Sequence, residues 1–368
     1  MEETASGDNC QNLCEKANED VISELHADIL CYMLSFLPIK SAVATSILST
    51  RWRNLWKSVT ILDIYDGISG YYKNPSTYKE RKMNFVNFMD RLFIHRNNPS
   101  ILKFRLRLAQ SYDFSANAWM SHLSRWISSS AIMGNVEELI FSINFPVRLP
   151  ENLYCCEKLV ALKLHGHIRF DNLQSVCFPS LKALHLEHLR MLNNTAIKVL
   201  LSGSPALEEL ELKMEGRDSR RNLPTFRNLI HLEVRVGDAY VRILPEILQC
   251  CSGLEVFVLI LDEDAYGWNW CAPHSVPQCL SSCLQVIEYK VFQGESGETE
   301  MLEYFLSNAL VLKKMTITYL TDFKTVEVDV LKRLSTCPKG SDACQIVLLP
   351  EHKRRFEVAS MRRPSFFS

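Results

Sequence analysis

The sequence predicts an α/β chain in which a block of three short helices precedes an irregular solenoid built on one parallel sheet. Three observations predict it. The motif L-x-x-L-x-L, with apolar substitutes, recurs at intervals of about 22 to 30 residues. Leucine alone supplies 49 of the 368 residues, well above ordinary usage. Between Ile22 and Leu37 the apolar residues are helically spaced, and Pro38 then breaks the run. The length allows two or three domains, and a 47% apolar composition supports a large core. Glycine and proline together make about 7% of the chain, too few for a turn-dense all-β fold.

The copies of the motif run in order from residue 136. They read Val136/Leu139/Phe141, Leu159/Leu162/Leu164, Leu181/Leu184/Leu186 and Leu207/Leu210/Leu212. Leu229/Leu232/Val234, Leu254/Phe257/Leu259, Leu284/Ile287/Tyr289 and Leu312/Met315/Ile317 continue the series, and Ile101/Phe104/Leu106 is a degenerate earlier copy. The alternation at Leu162 and Leu164 marks a short strand with one buried face. The rest of each unit returns the chain to its start, so stacked units bury their leucines against one another. The pattern resembles leucine-rich repeats, whose fold implies a parallel sheet on the concave face. The Asn or Cys usual three residues after the last leucine is replaced by His167, Leu189, Glu215 and Gly237, so a less regular stack is expected.

Residues 20–57 read DVISELHADILCYMLSFLPIKSAVATSILSTRWRNLWK. Ile22, Leu25, Ile29, Leu30, Met33, Leu34 and Leu37 form one helical set; Val43, Ala44 and Ile47 lie on a second helix, and Trp52, Leu55 and Trp56 on a third. Three short helices cannot hide this much apolar surface. From Leu25 to Trp56 the segment closely resembles an F-box. The resemblance implies docking to the Skp-family adaptor and, through it, the cullin of an SCF-type ubiquitin ligase. It assigns adaptor contacts to Leu25, Ile29, Leu30, Met33, Leu34, Leu37, Pro38, Val43, Leu48, Trp52, Leu55 and Trp56. His26 stands where the family usually has Pro, at an expected cost of about 0.5–1 kcal/mol in local order.

The stretch 276–319, followed by 344–349, resembles the FBD module that follows F-box and leucine-rich regions in a large plant family. Within it Glu300 to Leu310 reads as a helix with Leu302, Phe305, Leu306 and Leu310 on one face, and Phe85, Phe88, Met89, Leu92 and Phe93 form an earlier core-facing stripe. The resulting organisation is a disordered N-terminus at 1–18, the F-box at 19–62, and a helical linker with the first degenerate repeat at 63–135. Repeats follow at 136–271, the FBD segment at 272–350, and a basic tail at 351–368.

No phosphate-binding Gly loop, nucleophile elbow or zinc-protease motif occurs, so no catalysis and no cofactor are expected. Cys271, His274, Cys279 and Cys283 read as loop and core rather than a metal site, and Cys155-Cys156 and Cys250-Cys251 as small buried hydrophobes at one repeat phase. Asp262, Glu263 and Asp264 lack the pattern of a calcium loop, and Trp268 and Trp270 beside them read as packing. A net charge of -1 argues against nucleic-acid or membrane partners. Met1 to Asp20 lacks a secretory signal, so reduced thiols and a soluble protein, cytoplasmic or nuclear or both, are expected. Lys353-Arg354-Arg355 and Arg362-Arg363 fit a bipartite nuclear signal, a kinase site at Ser365, or a solvated tail.

The resemblance places an unidentified target protein on the repeats; a non-degradative scaffold has the same sequence features. Strand positions facing away from the leucines include Lys163, His185, Glu209, Glu211, Glu233, Arg235, Val258 and Ile260. Glu211 and Glu233 are expected as repelling neighbours that a basic target group relieves. Val258 and Ile260 are expected as an apolar contact, unless the 262–280 loop covers them.

Overall fold

The computed structural model describes residues 21–66, 75–96, 100–108, 116–132, 135–170, 173–187, 194–214, 224–237, 241–262, 269–320, 333–334 and 336–351. The expectations for 1–18, Leu189, Glu215, Glu263, Asp264, Trp268 and the basic tail from Lys353 lie outside these residues.

The helical block opens with a turn at Val21–Glu24, followed by α1 (Ala27–Ser35) and α2 (Ile39–Ala44). Two 3₁₀ segments, Thr45–Ile47 and Trp52–Ser58, complete it, so the expected third helix is the tighter form. His26 takes an extended backbone as the N-cap of α1, and its ring accepts a 3.5 Å hydrogen bond from the Asp28 amide. The residue that departs from the family pattern thus serves one of the helix's orphan donors. Pro38 occupies the N-cap of α2 and turns the chain.

Among the described residues eleven parallel strands follow, and their spatial order is their order in sequence. They are β1 (Ile61–Tyr65), β2 (Lys103–Leu108), β3 (Glu138–Arg148), β4 (Ala161–Arg169), β5 (Ala183–Glu187) and β6 (Glu209–Met214). The others are β7 (His231–Val236), β8 (Val256–Leu261), β9 (Val286–Phe292), β10 (Lys314–Leu320) and β11 (Gln345–Glu351). Among the returning helices are α3 (Pro75–His95), α4 (Ala116–Ile132), α5 (Asn194–Ser202), α6 (Leu244–Gln249), α7 (Gln278–Ser282) and α8 (Ser296–Asn308). This register places one inward residue of every repeat in a single row, buried throughout except for the half-buried Ile346 at its end. It runs Leu62, Phe104, Leu139, Leu162, Leu184 and Leu210, then Leu232, Phe257, Ile287, Met315 and Ile346.

Two strands were not anticipated, β1 and β11. Val59, Leu62 and Ile64 carry the motif and are buried, but the 21-residue α3 separates β1 from β2 and takes the spacing outside the repeat range. A second difference concerns regularity. Without the side-chain ladder, the stack is stitched by backbone bonds at the residue before each strand. The Leu102 amide donates to the Thr60 carbonyl, Glu137 to Leu102, Val160 to Glu137 and Lys182 to Val160. The chain of bonds continues through Glu208, Ile230, Glu255, Gln285, Lys313 and Gln345, each within 3.0 Å. Register shifts occur only within β3–β4 and β9–β10 among the described pairs. The first of them sits at Gly166, where φ is +103° and an added Cβ would stand 2.2 Å from the Ile143 carbonyl oxygen.

The leucine rows and helix stripes fuse into one core containing Phe85, Met89 and Leu92 from α3, with Leu302, Phe305 and Leu306 from α8. Leu310, expected on α8, falls past its end in an exposed turn. The repeated cysteine position is not uniformly buried either: Cys251 is, whereas Cys155 is exposed and Cys156 and Cys250 are half-buried.

Candidate adaptor and target interfaces

The helical block divides its apolar residues between two faces of α1. Leu30 and Leu34 turn inward, with Leu34 only 2% exposed and in the main core. Neither is available to a partner, which corrects the expectation for these two. Val43, Trp52, Leu55 and Trp56 are half-buried and brace the core. Leu25 is half-buried, and its carbonyl accepts a hydrogen bond from Arg51, which pins the later loop to the start of α1. Ile29, Met33, Leu37 and Leu48 are exposed, as is Pro38.

Three exposed apolar residues join them that the sequence reading did not assign to the adaptor: Tyr32, Phe36 and Ile47. Tyr32 and Phe36 stack edge-to-face at 4.9 Å on one exposed stripe with Ile29 and Met33. Ile47 is 87% exposed and adjoins Leu48 at 65%. The signal was the spacing 29, 32, 33, 36, a second helical stripe interleaved with the buried one. So many large apolar groups on one small block form an exposed apolar face of the kind that marks interaction sites.

On the sheet, the outward row runs through Lys163, His185, Glu211, Glu233, Val258 and Glu288 in register. Glu211 and Glu233 are therefore neighbours, as expected. Their charges are answered within the chain, however. His185 is 12% exposed in its side chain, its Nδ1 2.7 Å from Glu211 Oε2 and its Nε2 2.9 Å from Glu209 Oε1. Burial opposes protonation of His185, but the two carboxylates outweigh it and raise its pKa. The His185 bond conversely lowers the pKa of Glu209 and of Glu211, against their burial. Burial, with Glu211 alongside, raises that of Glu233, which Lys290 faces at 3.9 Å. Arg235 stands beside Lys213, one pair further along the strands.

At the apolar end the structure takes the covered alternative rather than the target contact. Val258 and Ile260 are 3% and 7% exposed, so they form part of the buried structure and offer no contact to a target. They sit in register between Glu233 and Glu288, and between Arg235 and Lys290. At the other end the pairs are internal again: Arg107 meets Asp63 at 2.7 Å, and Glu138 meets Lys103 and Arg105.

Among the described residues no three His, Cys, Asp or Glu side chains are grouped to hold a metal ion. Cys279 is buried with its thiol directed at the Leu248 carbonyl, Cys283 faces the Ser252 carbonyl, and Cys271 and His274 are exposed. No described helix is long and apolar enough to cross a membrane.

Comparison with known families now bears on this arrangement. The F-box domain matches residues 22–63, and the leucine-rich repeats described for the FBD-associated F-box protein At5g56370 match 123–223. The FBD family matches 272–317. The chain is an F-box, leucine-rich-repeat and FBD protein. Among its relatives in Arabidopsis thaliana, the putative FBD-associated F-box protein At5g44940 is 28% identical over 89% of this chain and 99% of its own length. The F-box/FBD/LRR-repeat protein At1g78750 is 24% identical over 90% of this chain and 96% of itself. The F-box/LRR-repeat protein At4g14103 is 35% identical, over 53% of this chain and 50% of itself. The F-box and repeats give this chain an adaptor role in protein interaction.

In this F-box, leucine-rich-repeat and FBD protein the FBD match spans α7, β9 and α8 and reaches into β10, so the module continues the same sheet. Its anchor is Glu298, a fully buried carboxylate at the first turn of α8. Glu298 accepts 2.7 Å and 2.8 Å hydrogen bonds from the Tyr289 hydroxyl and the Glu295 amide, and a longer one from the Gln293 amide. Trp270 packs on Tyr304 and Phe305 of α8, as its expected packing role requires.

Proposed function

We propose that this chain is the substrate-receptor subunit of an SCF-type ubiquitin ligase. The exposed stripe Ile29, Tyr32, Met33, Phe36, Leu37, Ile47 and Leu48 carries this reading, because it gives the F-box a greasy face that the folded chain leaves uncovered. That face docks the Skp-type adaptor, and the adaptor tethers the cullin. The outward face of the sheet, around His185, Glu209, Glu211, Glu233 and Arg235, receives the target. No bond is made or broken by this chain. Its contribution is proximity, which raises the effective concentration of target lysines near the charged transfer enzyme. Thirteen cysteines, none in a described disulfide, suit the reducing cytoplasm or nucleus as the place of action.

The test is co-purification of the full chain with adaptor and cullin, followed by ubiquitin transfer to captured target. Stable adaptor binding with no target ubiquitination would instead identify a non-degradative scaffold. Absence of adaptor binding would overturn the docking reading.

A further inference from the structure

Beyond the F-box, a cleft of about 440 Å³ opens between that block and α3. Its floor is apolar: Val43 and Trp56 from the F-box, Phe88 and Leu92 from α3. Its rim comes from one face of α3, where Asn84, Asn87, Arg91 and His95 follow the spacing i, i+3, i+7, i+11. None of the lining residues is acidic. Further cations border it, with Lys40 Nζ 5.7 Å from the Phe88 ring and Lys57 Nζ 5.9 Å from the Trp56 ring. Asp90, on the same helix, is already committed to Arg125 and Trp126, and Asp66 to Lys82. Arg91 and His95 have no ion pair among the described residues.

A cationic rim over an aromatic floor complements an acidic peptide with one apolar anchor. The location says which partner supplies it. Phe85, Met89 and Leu92 bury α3 against the leucine-bearing side of the sheet, opposite the row of Lys163, His185 and Glu211. A target on the outward face lies across the sheet from the cleft. Half of the floor, in contrast, belongs to the F-box itself, the block that meets the adaptor in the reading above.

We propose that this cleft receives an acidic segment of the Skp-type adaptor with one apolar anchor side chain, making α3 part of the adaptor interface. The inference rests on the docking reading above and extends it outside the F-box. Its consequence is geometric. A two-part contact, on the F-box and on a helix built into the first repeats, ties both the F-box and the solenoid to the adaptor.

The experiment uses the full chain and purified adaptor. Arg91→Glu with His95→Glu changes two exposed side chains, and Asn87 is replaced by a photo-crosslinking residue in a separate variant. Expected are a fall in adaptor affinity of about tenfold for the double reversal, a weaker salt dependence than wild type, and a cross-link from position 87 to an acidic stretch of the adaptor. Unchanged affinity with wild-type binding intact overturns this inference and leaves the F-box reading standing. A cross-link only to target, or to a second copy of this chain, also overturns it. Failure of the wild type to bind adaptor overturns both.

Discussion

Replacing Leu34 by Ala and Leu48 by Asp separates folding from docking within the same helical block. Leu34 is 2% exposed and belongs to the continuous core, with Ile39 and Ala42 of α2 in the same cluster. Truncating it removes the transfer term and leaves a cavity, together about 2–5 kcal/mol. At about 3 kcal/mol, and 1.4 kcal/mol per factor of ten, local opening becomes roughly 150-fold more frequent. Amide hydrogen exchange over 27–58 reads this directly, and exchange in the repeats stays unchanged if the block opens locally. Leu48 is 65% exposed, and its substitution alters stability by no more than about 0.5 kcal/mol. Placing a carboxylate in a buried apolar contact costs at least about 2 kcal/mol of adaptor affinity, or roughly 30-fold. Calorimetric titration with adaptor should therefore show the larger affinity loss for Leu48→Asp, and saturating adaptor should restore protection to Leu34→Ala. The opposite pattern, with Leu34→Ala abolishing binding while exchange stays at wild-type rates, would refute the division of faces.

Three further outcomes follow from the sheet and from α8. His185 has a raised pKa, so its stabilisation is complete below its ordinary value of 6.5 and is lost as pH rises through the higher folded value. Glu209 and Glu211 have lowered pKa values, so theirs is present above the ordinary 4.5 and is lost as pH falls through the folded values. The cluster is strongest between those limits, and His185→Gln should flatten the alkaline limb of stability in urea titrations run across pH. Gly166→Ala forces a side chain into a left-handed backbone 2.2 Å from a carbonyl, and should cost more than about 1 kcal/mol in the same assay. Glu298→Ala leaves the Tyr289 hydroxyl and two amides unserved; a loss of about 3 kcal/mol, seen as faster exchange over 286–308, is expected, whereas Glu298→Gln should retain part of it.

The repeats were legible because their signal is redundant. Every unit repeats the same two buried positions, so Leu162 and Leu164 are read correctly even where Phe257 or Met315 replaces leucine elsewhere. β1 was obscured by the long α3 insertion, although Val59, Leu62 and Ile64 already carried the pattern. The docking face was half legible. Helical spacing shows that α1 is apolar on two sides, but which side the core claims depends on α2 and β1, which are brought to it only by folding. Leu30 and Leu34 therefore exchanged roles with Tyr32 and Phe36. The outward row was placed correctly and its chemistry was not, because strand phase gives direction but not the reach of a neighbour's side chain.

The outward row proposed above as the target face is not a bare acidic strip. Two adjacent carboxylates on bare strands would demand a cation from a partner. Here His185 lies against Glu209 and Glu211, and Lys290 approaches Glu233, so the face is close to self-neutralised before any target arrives. A basic target group must then displace an existing pair, and it gains only the difference between two similar interactions. Such a surface contributes little raw affinity but penalises a mismatched partner, since any target that separates His185 from its carboxylates without replacing them leaves part-buried charge unanswered. Charge reversal of Glu211 and Glu233 should accordingly weaken capture of the proper target and shrink its salt dependence, while adaptor affinity stays at the wild-type value. If both target capture and its salt dependence were unchanged, the recognition surface would have to lie away from this row, on the loops or on the FBD segment.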